Sequence, residues 1–171
     1  MRTRFLSLLF VGLVACTAAR AEPLGLPSLD RLAALRGAAV TDAALSDKVV
    51  VVTFFASWCP PCRWEFQHLN AVRDAYPADD VAILAINVFE DFDGLSSPEK
   101  LEAFLDDTAP RFRLLKGDKA IREAFGGVDR IPTLFVYGRD GRLAYTFVHE
   151  RDAEKTHATA AELHAAIEPL L

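Results

Sequence analysis

A continuous apolar run, Val49-Val50-Val51-Val52-Thr53-Phe54-Phe55, stands just ahead of Trp58-Cys59-Pro60-Pro61-Cys62, and this junction constrains the chain most. The run predicts a buried strand. The residues after it, Arg63 to Val72, alternate polar and apolar with helical spacing and predict an amphipathic helix. Two cysteines are thereby delivered to the first turn of a helix. Unpaired N–H groups and the positive end of the helix dipole favour a thiolate there, at Cys59. Pro60 and Pro61 suit a helix start, where a missing N–H costs little and a fixed φ helps. The arrangement points to thiol–disulfide exchange, with an exposed sulfur at Cys59 and Cys62 resolving the mixed disulfide.

Ionisation alone gives such a site little speed. Lowering a cysteine pKa from about 8.5 to about 7 raises the thiolate fraction at neutral pH roughly sixteen-fold. The accompanying loss of nucleophilicity takes back roughly five- to six-fold, leaving a gain of about three-fold. Docking of the substrate must therefore supply most of the rate, which calls for a peptide-binding surface beside Cys59.

A zinc half-site is the competing reading of Cys-x-x-Cys. It needs a second pair or closely spaced histidines. The third cysteine, Cys16, lies near the N-terminus, and His68, His149, His157 and His164 are scattered. No metal is expected, and no cofactor beyond a redox-active Cys59–Cys62 disulfide.

The chain's 171 residues, 51% of them hydrophobic, suffice for one folded domain. Arg2 and Arg4 precede the apolar stretch Phe5 to Val14 and then small residues, the pattern of a secretory signal. Leu13-Val14-Ala15-Cys16 reads as a lipobox, with cleavage after residue 15 and acylation of Cys16; Ala19-Arg20-Ala21 offers an alternative cleavage after residue 21. The expected product is exported, periplasmic and lipid-anchored to a membrane. Loss of residues 1–15 removes two arginines, leaving 17 basic against 24 acidic residues and moving the net charge from −5 to −7. That balance argues against nucleic acid as a partner.

Residues 16–44 read as a tether and N-terminal extension, with Glu22 to Ser28 the tether, Ser28 capping a helix through Arg36 and Gly37 stopping it. Residues 45–171 read as one domain. Strands are predicted at Lys48–Ala56 and Val81–Val88, parallel to each other. Helices are predicted at Pro60–Tyr76, from Ser97 through about Asp107, at Lys119–Phe125 and at Thr159–Leu170. Pro132–Tyr137 and Arg142–Phe147 form a hairpin around Arg139-Asp140-Gly141. The order is βαβ followed by ββα, an α/β fold with a mixed central sheet flanked by helices.

At this point the chain resembles the thioredoxin superfamily, specifically its exported TlpA/ResA-like branch. The matching residues are Phe54-Phe55-Ala56-Ser57-Trp58-Cys59-Pro60-Pro61-Cys62-Arg63, Glu65, and Ile131-Pro132-Thr133. Asn87–Phe104 looks like the helical insertion of that branch. The resemblance implies a cis-proline at Pro132 lying against the cysteine pair. It places a substrate-binding surface at Trp58, Pro60, Pro61, Ile131, Pro132 and Thr133. It also implies that Glu65, three residues beyond Cys62, shuttles the proton of the resolving thiol. Thioredoxin keeps a buried carboxylate six residues before its first cysteine; Thr53 stands there instead, which strengthens Glu65. Two departures are Arg130, where the branch often has glycine, and Thr133, where the cytochrome c maturation subgroup has an acid.

The expected activity is protein-disulfide oxidoreduction by a monomer, in the reducing direction, on protein disulfide substrates. A membrane electron donor of the DsbD/CcdA type would supply the electrons. Alternatives are a cytochrome c maturation thioredoxin, a non-enzymatic copper chaperone of the SCO type, and a scaffold without turnover. A peroxidase is excluded, because Val52 and Ala56 occupy its required proline and threonine positions.

Overall fold

Branched and aromatic side chains at Val49–Phe55 cannot share a helix face comfortably, and all seven are buried in an extended strand. In the computed structural model, which describes residues 25–171, this is β2, the centre of a six-stranded sheet. The elements are β1 (Ala34–Arg36), α1 (Asp42–Leu45), β2 (Val49–Phe55), α2 (Pro60–Ala75), β3 (Val81–Asn87), α3 (Pro98–Thr108), β4 (Arg113–Lys116), α4 (Lys119–Ala124), β5 (Thr133–Tyr137), β6 (Leu143–Val148) and α5 (Ala160–Ile167). Short 3₁₀ turns at Phe92–Gly94 and Glu168–Leu170 complete the path. The strands lie in the order β1-β4-β3-β2-β5-β6. Strands β2 and β3 are parallel, as are β3 and β4, while β5 and β6 run antiparallel to complete the mixed sheet.

Successive side chains of β2 serve opposite faces. Phe55 meets Phe66 of α2 at 4.7 Å and Phe104 of α3 at 5.5 Å, and Phe66 also meets Phe112 at 5.1 Å. Phe54 turns the other way, onto Phe125 at the end of α4 and Phe135 of β5. One apolar strand thus carries both layers of the core.

The predicted central strand, active-site helix, second parallel strand and hairpin all form, within a residue or two of the expected bounds. The N-terminal extension departs from expectation. Ser28 to Arg36 is not a helix: a turn brings Leu32 N–H to Leu29 C=O, and Ala34–Arg36 pairs antiparallel with β4. Leu29 and Leu32 have the three-residue spacing of a helix, yet both reach the core from this turn because β4 offers unpaired edge hydrogen bonds that a helix would waste. Gly37, at φ +79°, still ends the element, after a strand instead of a helix. The tether is also shorter than read, since Gly25 bridges to Arg142 and Leu26 N–H donates to Gly141 C=O. Strand β4 was not anticipated. It seats against β3 with Gly117 N–H on Asn87 C=O, where a Cβ at Gly117 would come within 2.6 Å of Ile86 and Val88. The expected leader and the lipidation site at Cys16 lie outside the described residues. No described helix is long and apolar enough to cross a membrane.

Candidate active site

Strand β2 ends at Phe55, and the chain turns through Ser57 and Trp58 into α2. Cys59 is the N-cap of that helix, with extended backbone angles, and its sulfur accepts the Cys62 N–H at 3.2 Å. Prolines occupy the first two helical positions, as their fixed φ and missing donor favour. Cys59 and Cys62 form a disulfide with Cα atoms 5.3 Å apart. Cys59 keeps 4% of its surface and Cys62 none. The first sulfur is more enclosed than the expected exposed one, because it is bonded to Cys62 and folded into the first turn. It is still the member of the pair that retains surface.

Glu65 lies one helical turn beyond Cys62 and is 1% exposed. Its carboxylate accepts the Thr53 hydroxyl on one oxygen and the Ala158 N–H at 3.3 Å on the other. Burial outweighs both hydrogen bonds and pushes the carboxyl up to about 7. Thr53 fills the position where thioredoxin keeps its acid, and here it serves the acid on the neighbouring helix.

The Ile131–Pro132 peptide bond is cis, as the resemblance implied. Register places it beside the end of β2, since Thr133 stands opposite Phe54. Trp58, Phe89, Phe92, Asp129, Arg130, Ile131, His149 and Arg151 line a groove of about 300 Å³ beside this loop. The indole N–H of Trp58 donates to Phe89 C=O at 2.7 Å, and the ring stacks on Phe92. Of the residues expected to bind substrate, Trp58 and Ile131 thus share one groove. Pro60 and Pro61 sit on the first turn of α2 and do not line it. Thr133 is buried, its hydroxyl donating to Arg130 C=O at 2.8 Å, so its side chain holds the loop. Trp64 is exposed on α2.

His149, Phe92 and Glu90 were not anticipated. Residues that follow β3 must lie beside those that follow β2, because the two strands are parallel neighbours; that adjacency was the available signal for Glu90 and Phe92. His149 instead follows β6 and is brought to the loop by its N–H on Pro132 C=O at 3.0 Å. The fold also stacks His68 on His157, at 5.2 Å, although they are far apart in sequence. Among the described residues, no three His, Cys, Asp or Glu side chains gather as a metal site.

A mixed sheet carrying a Cys-x-x-Cys disulfide at a helix N-terminus, with a cis-proline beside the end of its central strand, defines a thioredoxin-like fold. The chain belongs to the Redoxin family, whose profile matches residues 20–164. It is 31% identical over 128 residues to the thiol:disulfide interchange protein HelX of Rhodobacter capsulatus, covering 74% of this chain and 61% of that one. It is 26% identical over 113 residues to the thiol-disulfide oxidoreductase ResA of Bacillus thuringiensis, covering 65% and 61%. The match thus spans about three-fifths of these relatives' length. A solved thioredoxin-family thiol:disulfide interchange protein from Chlorobium tepidum superposes with a TM-score of 0.71 at 23% identity, covering 89% of this chain and 99% of that one. The expected membership of the thioredoxin superfamily, near its ResA-like members, is borne out.

Proposed function

We propose that this protein is an exported thiol–disulfide oxidoreductase that reduces disulfides in other proteins. Support comes from the Cys59–Cys62 disulfide at the N-terminus of α2, with a groove opening beside Trp58 and Ile131. The names of its relatives point the same way. In the reduced protein, the Cys59 thiolate attacks one sulfur of a substrate disulfide. That bond breaks, the other substrate sulfur leaves as a thiolate, and Cys59 is joined to the substrate. Cys62 then loses its proton to Glu65 and attacks the Cys59 sulfur. The substrate departs with both of its sulfurs reduced, and Cys59–Cys62 is oxidised. A carboxyl near neutral pH suits that proton transfer in either direction.

The reducing direction needs electrons from outside, which a membrane donor of the DsbD/CcdA type would supply to an exported domain. The basic and apolar N-terminal stretch supports export, and Cys16 supports lipid anchoring. Trapping tests the mechanism. Reduced Cys62→Ser should hold disulfide-bearing proteins covalently on Cys59, and Cys59→Ser should hold none. Equilibration with glutathione tests the direction. A potential above roughly −150 mV, close to that of the strongest periplasmic oxidants, would reverse it.

A further inference from the structure

The insertion between β3 and α3 is tied to the reactive turn through one carboxylate. Glu90 accepts the Ser57 N–H at 2.6 Å and the Asn87 side-chain amide at 2.6 Å on one oxygen, and the Ser57 hydroxyl at 2.8 Å on the other. The Ser96 hydroxyl lies 2.6 Å from Ser57 Oγ, so the far end of the insertion joins the same network. Ser57 stands two residues before Cys59. Between them, Trp58 is hydrogen-bonded to Phe89 C=O and stacked on Phe92 with ring centroids 5.4 Å apart. Phe92 is 55% exposed, so this stack presents apolar surface to solvent in place of filling the core. Phe89 and Asp93 are non-glycine residues at φ +59° and +50°, a path that contacts must maintain because local preference opposes it.

We propose that Glu90 is a positioning residue for substrate selection. It locks the insertion to the Ser57–Trp58 turn, so that Trp58 and Phe92 form one fixed aromatic wall beside Cys59. A large apolar side chain flanking the target cysteine of an extended polypeptide packs against that wall. The inference rests on the exchange activity proposed above. Charged groups around the groove are of mixed sign, with Asp129 and Glu150 paired to Arg130, so aromatic contact is what the wall offers a substrate. A glutamine keeps the geometry: its oxygen accepts from Ser57 N–H and Asn87, and its amide donates to Ser57 Oγ, whose proton turns to Ser96. An alanine removes all three contacts.

The test compares second-order rates of the dithiothreitol-reduced protein with two disulfides. One is a peptide disulfide flanked by phenylalanine; the other is bis(2-hydroxyethyl) disulfide. Glu90→Ala should lose at least tenfold more of the peptide rate than of the small-disulfide rate. Glu90→Gln should restore the ratio to within about threefold of wild type. Phe92→Ala changes only an exposed side chain and should shift the ratio in the same direction as Glu90→Ala. An unchanged ratio in Glu90→Ala or Phe92→Ala, equal loss of both rates, or a glutamine no better than alanine overturns the inference and leaves the exchange reading standing. If the wild-type protein reduces neither disulfide, both fall.

Discussion

Thr53 and Glu65, twelve residues apart on β2 and α2, meet inside the protein, where the threonine hydroxyl donates to the glutamate carboxylate. The pair replaces an acid on the strand with an acid on the helix and gives it a neutral donor. Together with the Ala158 N–H it is all that offsets the burial of that carboxyl.

Stability should fall with rising pH because of Glu65. Its carboxyl titrates near 4.5 when unfolded and at about 7 when folded, so between those values the unfolded chain releases a proton that the folded protein retains. The contribution is full below pH 4.5 and lost progressively up to about pH 7, amounting to about 3 kcal/mol. In Glu65→Gln this slope disappears. Thr53 can accept from the new amide and turn its own proton to Thr133 C=O, already 3.5 Å away. Urea denaturation of both proteins at pH 4.5 and pH 8, with the disulfide intact, measures the difference; parallel pH profiles would refute it.

Catalysis should report the same group. Glu65→Gln should slow resolution of the mixed disulfide by the order of 10²-fold at neutral pH, with capture by Cys59 much less affected. Acid quenching followed by separation of the adduct reads the two steps apart.

Thr53→Val keeps the shape and deletes the donor. The carboxyl then loses a group that lowers it and should titrate above about 7, moving the inflection of the resolving rate upward in pH. A rate profile that kept the wild-type inflection would count against the contact.

Phe66→Ala removes the ring on which Phe55, Phe104 and Phe112 all converge. The expected loss is about 3–5 kcal/mol in chemical denaturation.

Gly117→Ala should cost about 1–3 kcal/mol by overpacking, since the added methyl meets Ile86, Val88 and the Asn87 carbonyl. A neutral result would mean that β3 and β4 part more easily than their packing suggests.

The central strand, the helix after it and the hairpin were legible because each carries its own local signal: a branched apolar run, prolines at a helix start, and Arg139-Asp140-Gly141 between two apolar runs. Strand β4 was not, because Arg113-Leu114-Leu115-Lys116 has no alternation and gains its form from β3. The Ser28–Arg36 helix failed for a related reason: tertiary pairing at the sheet edge overrode spacing. At the site, Glu65 could be read from its spacing to Cys62, but the backbone N–H that its carboxylate accepts belongs to Ala158, ninety-three residues away. Glu90 was hidden in the same way, by a contact that exists only once β2 and β3 lie side by side.

The bridge between Gly25 and Arg142 fixes the first described residue to the edge of the sheet. That bridge adjoins the hairpin tip, at the pole where β2 begins, whereas the cysteines follow the pole where β2 ends. Seven strand residues, about 23 Å, separate the two poles. The first described residues and the reactive disulfide are therefore held at opposite ends of one strand, so a change at either end reaches the other only through the length of β2.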